Sequence, residues 1–161
     1  MSTTQDLNTI RYGTQDGHQA IAQPIQSGVS LYIGQVAVTR AGYIIQPDTA
    51  VQSTDICWGM TNGQLDSQEA VSSPMAGGTT AGLHFAGIDT GTFYLSVGLS
   101  ADALTQADVG ADVYLIDGNT VGKTSGSSTR PVAGKLASIG VAQYSGLVAV
   151  TIGNSQSTGS P

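Results

Sequence analysis

The stretch Thr92-Phe93-Tyr94-Leu95-Ser96-Val97-Gly98-Leu99, TFYLSVGL, alternates without a fault: Phe93, Leu95, Val97 and Leu99 fall on one side, and Thr92, Tyr94, Ser96 and Gly98 on the other. Period two over eight residues predicts a half-buried β-strand. On its C-terminal side follow a short turn or helical stub at 101–107 and a second apolar run, 109–116. That run ends in Asp117-Gly118, a hairpin signal. A Gly/Ser-rich loop over 122–130 then leads to a last strand pair, 136–143 and 147–152, joined through Tyr144-Ser145-Gly146.

On the N-terminal side the run Val29–Thr39 is rich in β-branched and aromatic residues, and Gly34 within it marks a bulge or a break into two short strands. Tyr43-Ile44-Ile45 leads to Pro47-Asp48 and then to Ile56-Cys57-Trp58-Gly59-Met60, which reads as a strand closed by the turn pair Asn62-Gly63. Residues 64–90 are the least regular part, a long excursion of the kind that is usually functional or mobile. Gly34-Gln35-Val36-Ala37-Val38 followed by Trp58-Gly59-Met60 is echoed by Gly110–Leu115 followed by Ile139-Gly140-Val141. A duplicated β-unit and chance recurrence in a Gly-rich chain both account for the echo.

Bulk composition agrees with these strands. Charged residues are 10% of the 161, against about a quarter in ordinary domains, with one glutamate, Glu69, and two lysines, Lys123 and Lys135. Helical proteins depend on those residues at their surfaces, so the expected class is mainly β, a small β-barrel or β-sandwich-like domain with irregular loops. The length suits one core. The reading divides the chain into an extended N-terminal arm over 1–28, a single β-rich domain over 29–153 and a flexible tail over 154–161. The arm is polar, with isolated apolar residues at Ile10, Tyr12, Ile21 and Ile25, and is expected to order only against a partner.

The net charge of −6 and the scattered bases Arg11, Arg40, Lys123, Arg130 and Lys135 argue against direct binding to nucleic acid, which needs clustered Lys and Arg. No run of about 18 apolar residues is present, and the opening MSTTQDLNTIRYG lacks the basic start and apolar stretch of a signal peptide. The expectation is a soluble chain made in a cytoplasm, without membrane partners. Cys57 is the only cysteine, so no intrachain disulfide forms.

Candidate chemistry is thin. The segment IDGNTVGKTS (116–125) ends like a phosphate-binding loop, but Asp117 stands where the first glycine belongs and no helix follows. Lys123 is therefore expected to have no nucleotide role. His18 and His84 are the only bases of their kind, and His84 sits among apolar residues where a structural role is the simpler reading. Cys57 beside Trp58 reads as core packing. Histidine and cysteine show no metal-ligand spacing, and the acids Asp102, Asp108, Asp112 and Asp117 read as solvated strand ends. No catalytic residue, cofactor or metal is expected.

The segment 107–116, ADVGADVYLI, through 134–142, GKLASIGVA, closing on Val148-Ala149-Val150-Thr151-Ile152, resembles the C-terminal half of the head decoration, or cement, proteins of tailed bacteriophages. In that family a Gly-x-x-Val-Tyr strand precedes a polar loop, Ile-Gly-Val-Ala and a final Val-x-Val strand. The resemblance implies a β-rich structural protein of the virion that binds the major capsid protein on the outer surface of the head. It implies a homotrimer at local three-fold sites, with an N-terminal arm reaching onto the capsid. Under that reading Ile10, Arg11, Tyr12, Ile21 and Ile25 are the expected capsid or subunit contacts. The longer 64–90 segment departs from the family pattern. The rival reading is a glycan-binding adhesin or fibre module, for which the nine aromatic side chains, six Tyr, two Phe and one Trp, are scattered rather than gathered into a platform.

Overall fold

A computed structural model describes residues 21–47, 51–64 and 75–153. The protein is mainly β. Its strands are β1 (Ile21–Pro24), β2 (Ser30–Leu31), β3 (Val36–Arg40), β4 (Tyr43–Ile45), β5 (Ile56–Gln64), β6 (Met75–Ala76), β7 (Phe85–Asp89), β8 (Gly91–Val97), β9 (Asp112–Asp117), β10 (Thr120–Gly122), β11 (Val132–Ile139) and β12 (Leu147–Ile152). Strands β10-β8-β12-β11-β9 close into a five-stranded barrel, sealed by parallel pairing of β10 with β8. A second five-stranded sheet has the order β1-β7-β5-β3-β4, and β2 with β6 forms a small separate ribbon.

The two five-stranded assemblies are the same object built twice. Each takes a first strand, a hairpin, a strand beside the hairpin's first arm, and a last strand that pairs back to the first: β1, β3, β4, β5, β7 in one, and β8, β9, β10, β11, β12 in the other. Irregularities coincide as well. Strand β5 carries one extra residue, Trp58, between its pairings Cys57↔Val38 and Gly59↔Ala37. Strand β11 carries Ala133 between Val132↔Tyr114 and Gly134↔Val113. A second bulge falls at Asn62 in β5 and at Ala137 in β11. Individual hydrogen bonds match too: the Gly34 amide donates to the Thr61 carbonyl at 2.8 Å, and the Gly110 amide to the Leu136 carbonyl at 2.8 Å.

Closure matches in kind but not in extent. The parallel bridge Ile25↔Ile44 brings β1 and β4 together as Val97↔Val121 brings β8 and β10 together. The Gln26 amide reaches the Ile44 carbonyl at 3.0 Å and the Gly98 amide the Val121 carbonyl at 2.9 Å. We therefore call the two units barrel 1 and barrel 2. The sequence echo is a structural repeat, with one correction: Trp58-Gly59-Met60 corresponds to Ala133-Gly134-Lys135, not to Ile139-Gly140-Val141.

Their interiors differ. Barrel 2 is filled by Phe93, Leu95, Val113, Leu115, Val121, Leu136, Val148 and Val150, all nearly inaccessible. Barrel 1 uses smaller residues, Ala37 and Ala86, with Ile25, Ile44 and Ile88, and places Trp58 where barrel 2 has Ala133. Its polar interior groups are paired, as burial demands. The Trp58 indole donates to Thr39 Oγ1 at 2.7 Å, and the Thr61 hydroxyl donates to the Tyr32 carbonyl at 2.7 Å while accepting from the Gln35 amide.

One core joins the barrels. The outward face of barrel 1, Val36, Val38, Ile45, Cys57 and Met60, belongs to the same buried cluster as the interior of barrel 2. The Val36 amide donates to the carbonyl of Gly118, in the β9–β10 turn, at 2.7 Å.

Several sequence expectations shift. The arm expected over 1–28 overlaps the fold: 21–24 form β1, and Ile25 is wholly buried, because its side chain fills barrel 1. The turn expected at Asn62-Gly63 is instead a bulge inside β5. The excursion 64–90 contributes β6 and β7, the latter a central strand.

Candidate functional site

The loop that most resembles a phosphate cradle does hold an anion, and the anion is its own Asp102. From the 3-10 turn Ser100–Asp102 this carboxylate enters the 122–130 loop. Thr124 donates to its Oδ1 from both amide (3.1 Å) and hydroxyl (2.6 Å), and Arg130 Nη1 lies 2.9 Å from each of its oxygens. Glycine at 122 is required: a Cβ there would stand 2.8 Å from the Asp102 Cβ. Lys123 points elsewhere, to Asp108 at 2.7 Å. The groups that a nucleotide would need are thus spent on internal carboxylates.

Electrostatics follow from this geometry. Burial alone would raise the Asp102 carboxyl, but hydrogen bonds from Thr124 and Arg130 outweigh it and hold the group below the usual carboxylate range. Lys123, with the amide and hydroxyl of Thr105, holds Asp108 at about 2. In barrel 1 Asp55 is likewise lowered: burial opposes ionisation, and the fork of Arg40 (2.8 and 2.7 Å) with the Gln52 amide overcomes it. Of the acids expected as solvated strand ends, Asp112 and Asp117 do end β9: Asp112 is exposed and paired with Lys135, whereas Asp117 is buried and accepts from the Asn119 amide.

The other candidates do not assemble into a reactive centre. Cys57 is fully buried between the barrels, and burial, with the charge of Asp55, pushes its thiol up, away from thiolate chemistry. His84 is half-buried in the segment before β7, with its backbone carbonyl accepting from the Ile25 amide at 2.9 Å. His18 lies outside the described residues. Among the described residues no group of three His, Cys, Asp or Glu could hold a metal ion. Among them, too, no helix is long and apolar enough to cross a membrane.

A polar groove runs between the barrels, lined by Val51, Gln52, Ser53, Thr54, Ser128 and Thr129. Ser128 in its wall closes a run, Gly126, Ser127 and Ser128, with left-handed backbone (φ 58, 59 and 65°), fastened by the Ser125 carbonyl, which accepts from the Thr129 and Arg130 amides. The lining offers hydroxyls and amides but no titratable side chain, so it has no acid or base to supply.

More distinctive is the far rim of barrel 2. There Leu99 is 86% exposed and Val141 71% exposed. Both are followed by a non-glycine residue in left-handed conformation, Ser100 (φ 58°) and Ala142 (φ 53°), that opens a 3-10 turn. Such backbone costs about 1–3 kcal/mol per residue and persists only where the surroundings enforce it. Leu99 and Val141 are themselves extended and lie two residues past the ends of β8 and β11, so both large apolar side chains stand in solvent beyond the last paired rung. Both leave at one end of the barrel, since the Gly98 amide pairs with Val121, the Gly140 amide pairs with Leu147, and Leu147 faces Ser96 on β8. Sequence reasoning missed this pair. It placed Leu99 on the buried face of its strand and Val141 within another, whereas β8 ends at Val97 and β11 at Ile139.

Of the expected interface residues, Ile10, Arg11 and Tyr12 lie outside the described residues. Ile21 is half-buried in β1, and Ile25 offers a partner nothing because it is interior. No family model matches the chain, and no curated protein matches it.

Proposed function

We propose that the protein is a structural component of a phage particle that binds the outer surface of the capsid and reinforces the head lattice, three copies gathering at a local three-fold site. The observation that carries the reading is the exposure of Leu99 and Val141 at one rim, each beside a left-handed residue, on a barrel whose ionisable groups are largely tied up internally. Large apolar side chains exposed together at one rim mark a docking surface more readily than a reaction centre. A shell protein under outward pressure gains from bridging many weak contacts, and trimeric linkage makes the second and third contacts intramolecular. The polar composition of segment 1–20 supports the expectation that an N-terminal arm reaches onto the capsid.

The test is co-sedimentation of the full chain with purified DNA-filled and empty heads, followed by cryo-electron microscopy. Binding should place density at three-fold sites, and Leu99→Asp with Val141→Asp should reduce bound copies at least tenfold. Deletion of 1–20, which spares β1, should also weaken binding. Absence of added density on the outer surface, or single copies away from any three-fold, would refute the proposal.

A further inference from the structure

We infer that the flank of barrel 2 is a capped counterpart of the docking face of barrel 1, and that the Asp112–Lys135 pair is the cap that turns away a second copy of this chain. The repeat makes the comparison residue by residue. Val36 and Met60 of barrel 1, 1% and 3% exposed, lie beneath barrel 2. Their structural equivalents, by shared pairing and shared bulges, are Asp112 and Lys135. Those two form an ion pair with side chains 48% and 42% exposed.

The neighbouring position changes in the same sense. Ile45, buried against barrel 2, corresponds to Gly122, over which Asp102 is folded. Thus the flank that in barrel 1 receives a barrel end carries, in barrel 2, an ion pair at one edge beside Tyr114 and Val132, the counterparts of Val38 and Cys57, and is roofed by its own 98–111 loop. Covering a surface ion pair with an apolar partner removes its solvation without return, so docking is disfavoured there. Stacked-repeat proteins need such a polar terminal face to stop growth.

A matching end exists to be turned away. Barrel 2 meets barrel 1 with the end that contains the β9–β10 turn and Pro131, whose carbonyl accepts from the Leu115 amide. The corresponding residue in barrel 1 is Ile56, opposite Thr39, and it is 48% exposed. An uncapped flank on one chain would accept the Ile56 end of another, repeating between chains the contact already made within one. The inference does not rest on the capsid reading.

Sedimentation velocity on the full chain tests it, comparing the parent, Asp112→Val, Lys135→Met, the double variant, and the double variant carrying Ile56→Lys. The double variant should show species larger than any in the parent and increasing with concentration, and Ile56→Lys should restore the parent pattern. Folding is followed by circular dichroism and Trp58 emission. A folded double variant that sediments like the parent overturns the inference, as does association that survives Ile56→Lys. Should the double variant fail to fold, the single variants decide: each, if folded, should show weaker concentration-dependent association, and parent-like behaviour of both overturns the inference.

Discussion

Gly134→Ala should be among the most damaging conservative changes in the protein. A Cβ at 134 would lie 2.2 Å from the Thr151 carbonyl oxygen, about 1 Å inside contact distance. Strand β12 is held on both sides, by β11 and by β8, and cannot step back alone. Moving it sacrifices about two ladder hydrogen bonds, worth about 0.5–1.5 kcal/mol each, and adds an overpacking cost of about 1–3 kcal/mol. Alanine returns about 0.4–1 kcal/mol by restricting the unfolded chain. The net loss is about 1–5.6 kcal/mol, or about 2–22 °C in Tm for a chain of this size. Urea unfolding followed by circular dichroism and by Trp58 emission measures it. Gly59→Ala, whose Cβ would stand 2.1 Å from the Asp89 carbonyl, should cost a similar amount. Gly146→Ala, in open space at φ 84°, should cost only about 1–2 kcal/mol. If Gly134→Ala matched the parent, or Gly146→Ala were the worse of the two, the close-approach argument would be wrong.

Asp102→Ala should destabilise by about 1–2 kcal/mol, discounted for partial exposure, and should open the 122–130 loop to proteolysis, because Arg130 and Thr124 lose their shared acceptor. Asp55 and Asp102 have folded pKa values below the ordinary 3.8, so the unfolded chain takes up protons first as pH falls. Their stabilisation is complete above about pH 5 and is lost progressively as pH drops through the folded values, so Tm should be flat from about pH 5 to 7 and fall on the acid side, less steeply in Asp55→Asn. Cys57 should resist a thiol reagent in the native state and react fully in denaturant. Lys123→Ala should leave any ATP binding unchanged, as equilibrium dialysis would show, while releasing Asp108 toward an ordinary pKa in a carboxylate titration.

Strong alternation made β8 legible, and Asp117-Gly118 marked the hairpin between β9 and β10. Gly34, at φ 84°, breaks the long run into β2 and β3 as its position suggested. Strand β7 escaped notice because it takes its partners, β1 and β5, from distant segments, which no local pattern encodes. Asn62-Gly63 misled because a bulge and a turn draw on the same residue types. The repeat was half visible: glycine at 34 and 110 is shared, but Trp58 and Ala133 share only a position in a bulge, and side-chain identity cannot reveal that. Leu99 and Val141 looked like core because apolar residues in strand-like sequence usually are. They are exposed because pairing stops two residues before each, at Val97 and Ile139, and where a strand's partners end is not encoded in its own alternation.

The outward face of barrel 1 has a further consequence during synthesis. All five strands of barrel 1 have been made once Asp89 is in place, before any strand of barrel 2 exists. At roughly 5–20 residues per second, several seconds pass before Ile152 arrives to finish the partner. For that interval a nascent barrel carries Val36, Val38, Ile45, Cys57 and Met60 bare to its surroundings. Two ribosomes on one message would hold such faces close together, so yield in the cell should depend on translation rate and on holdase chaperones even though the finished protein buries the patch completely.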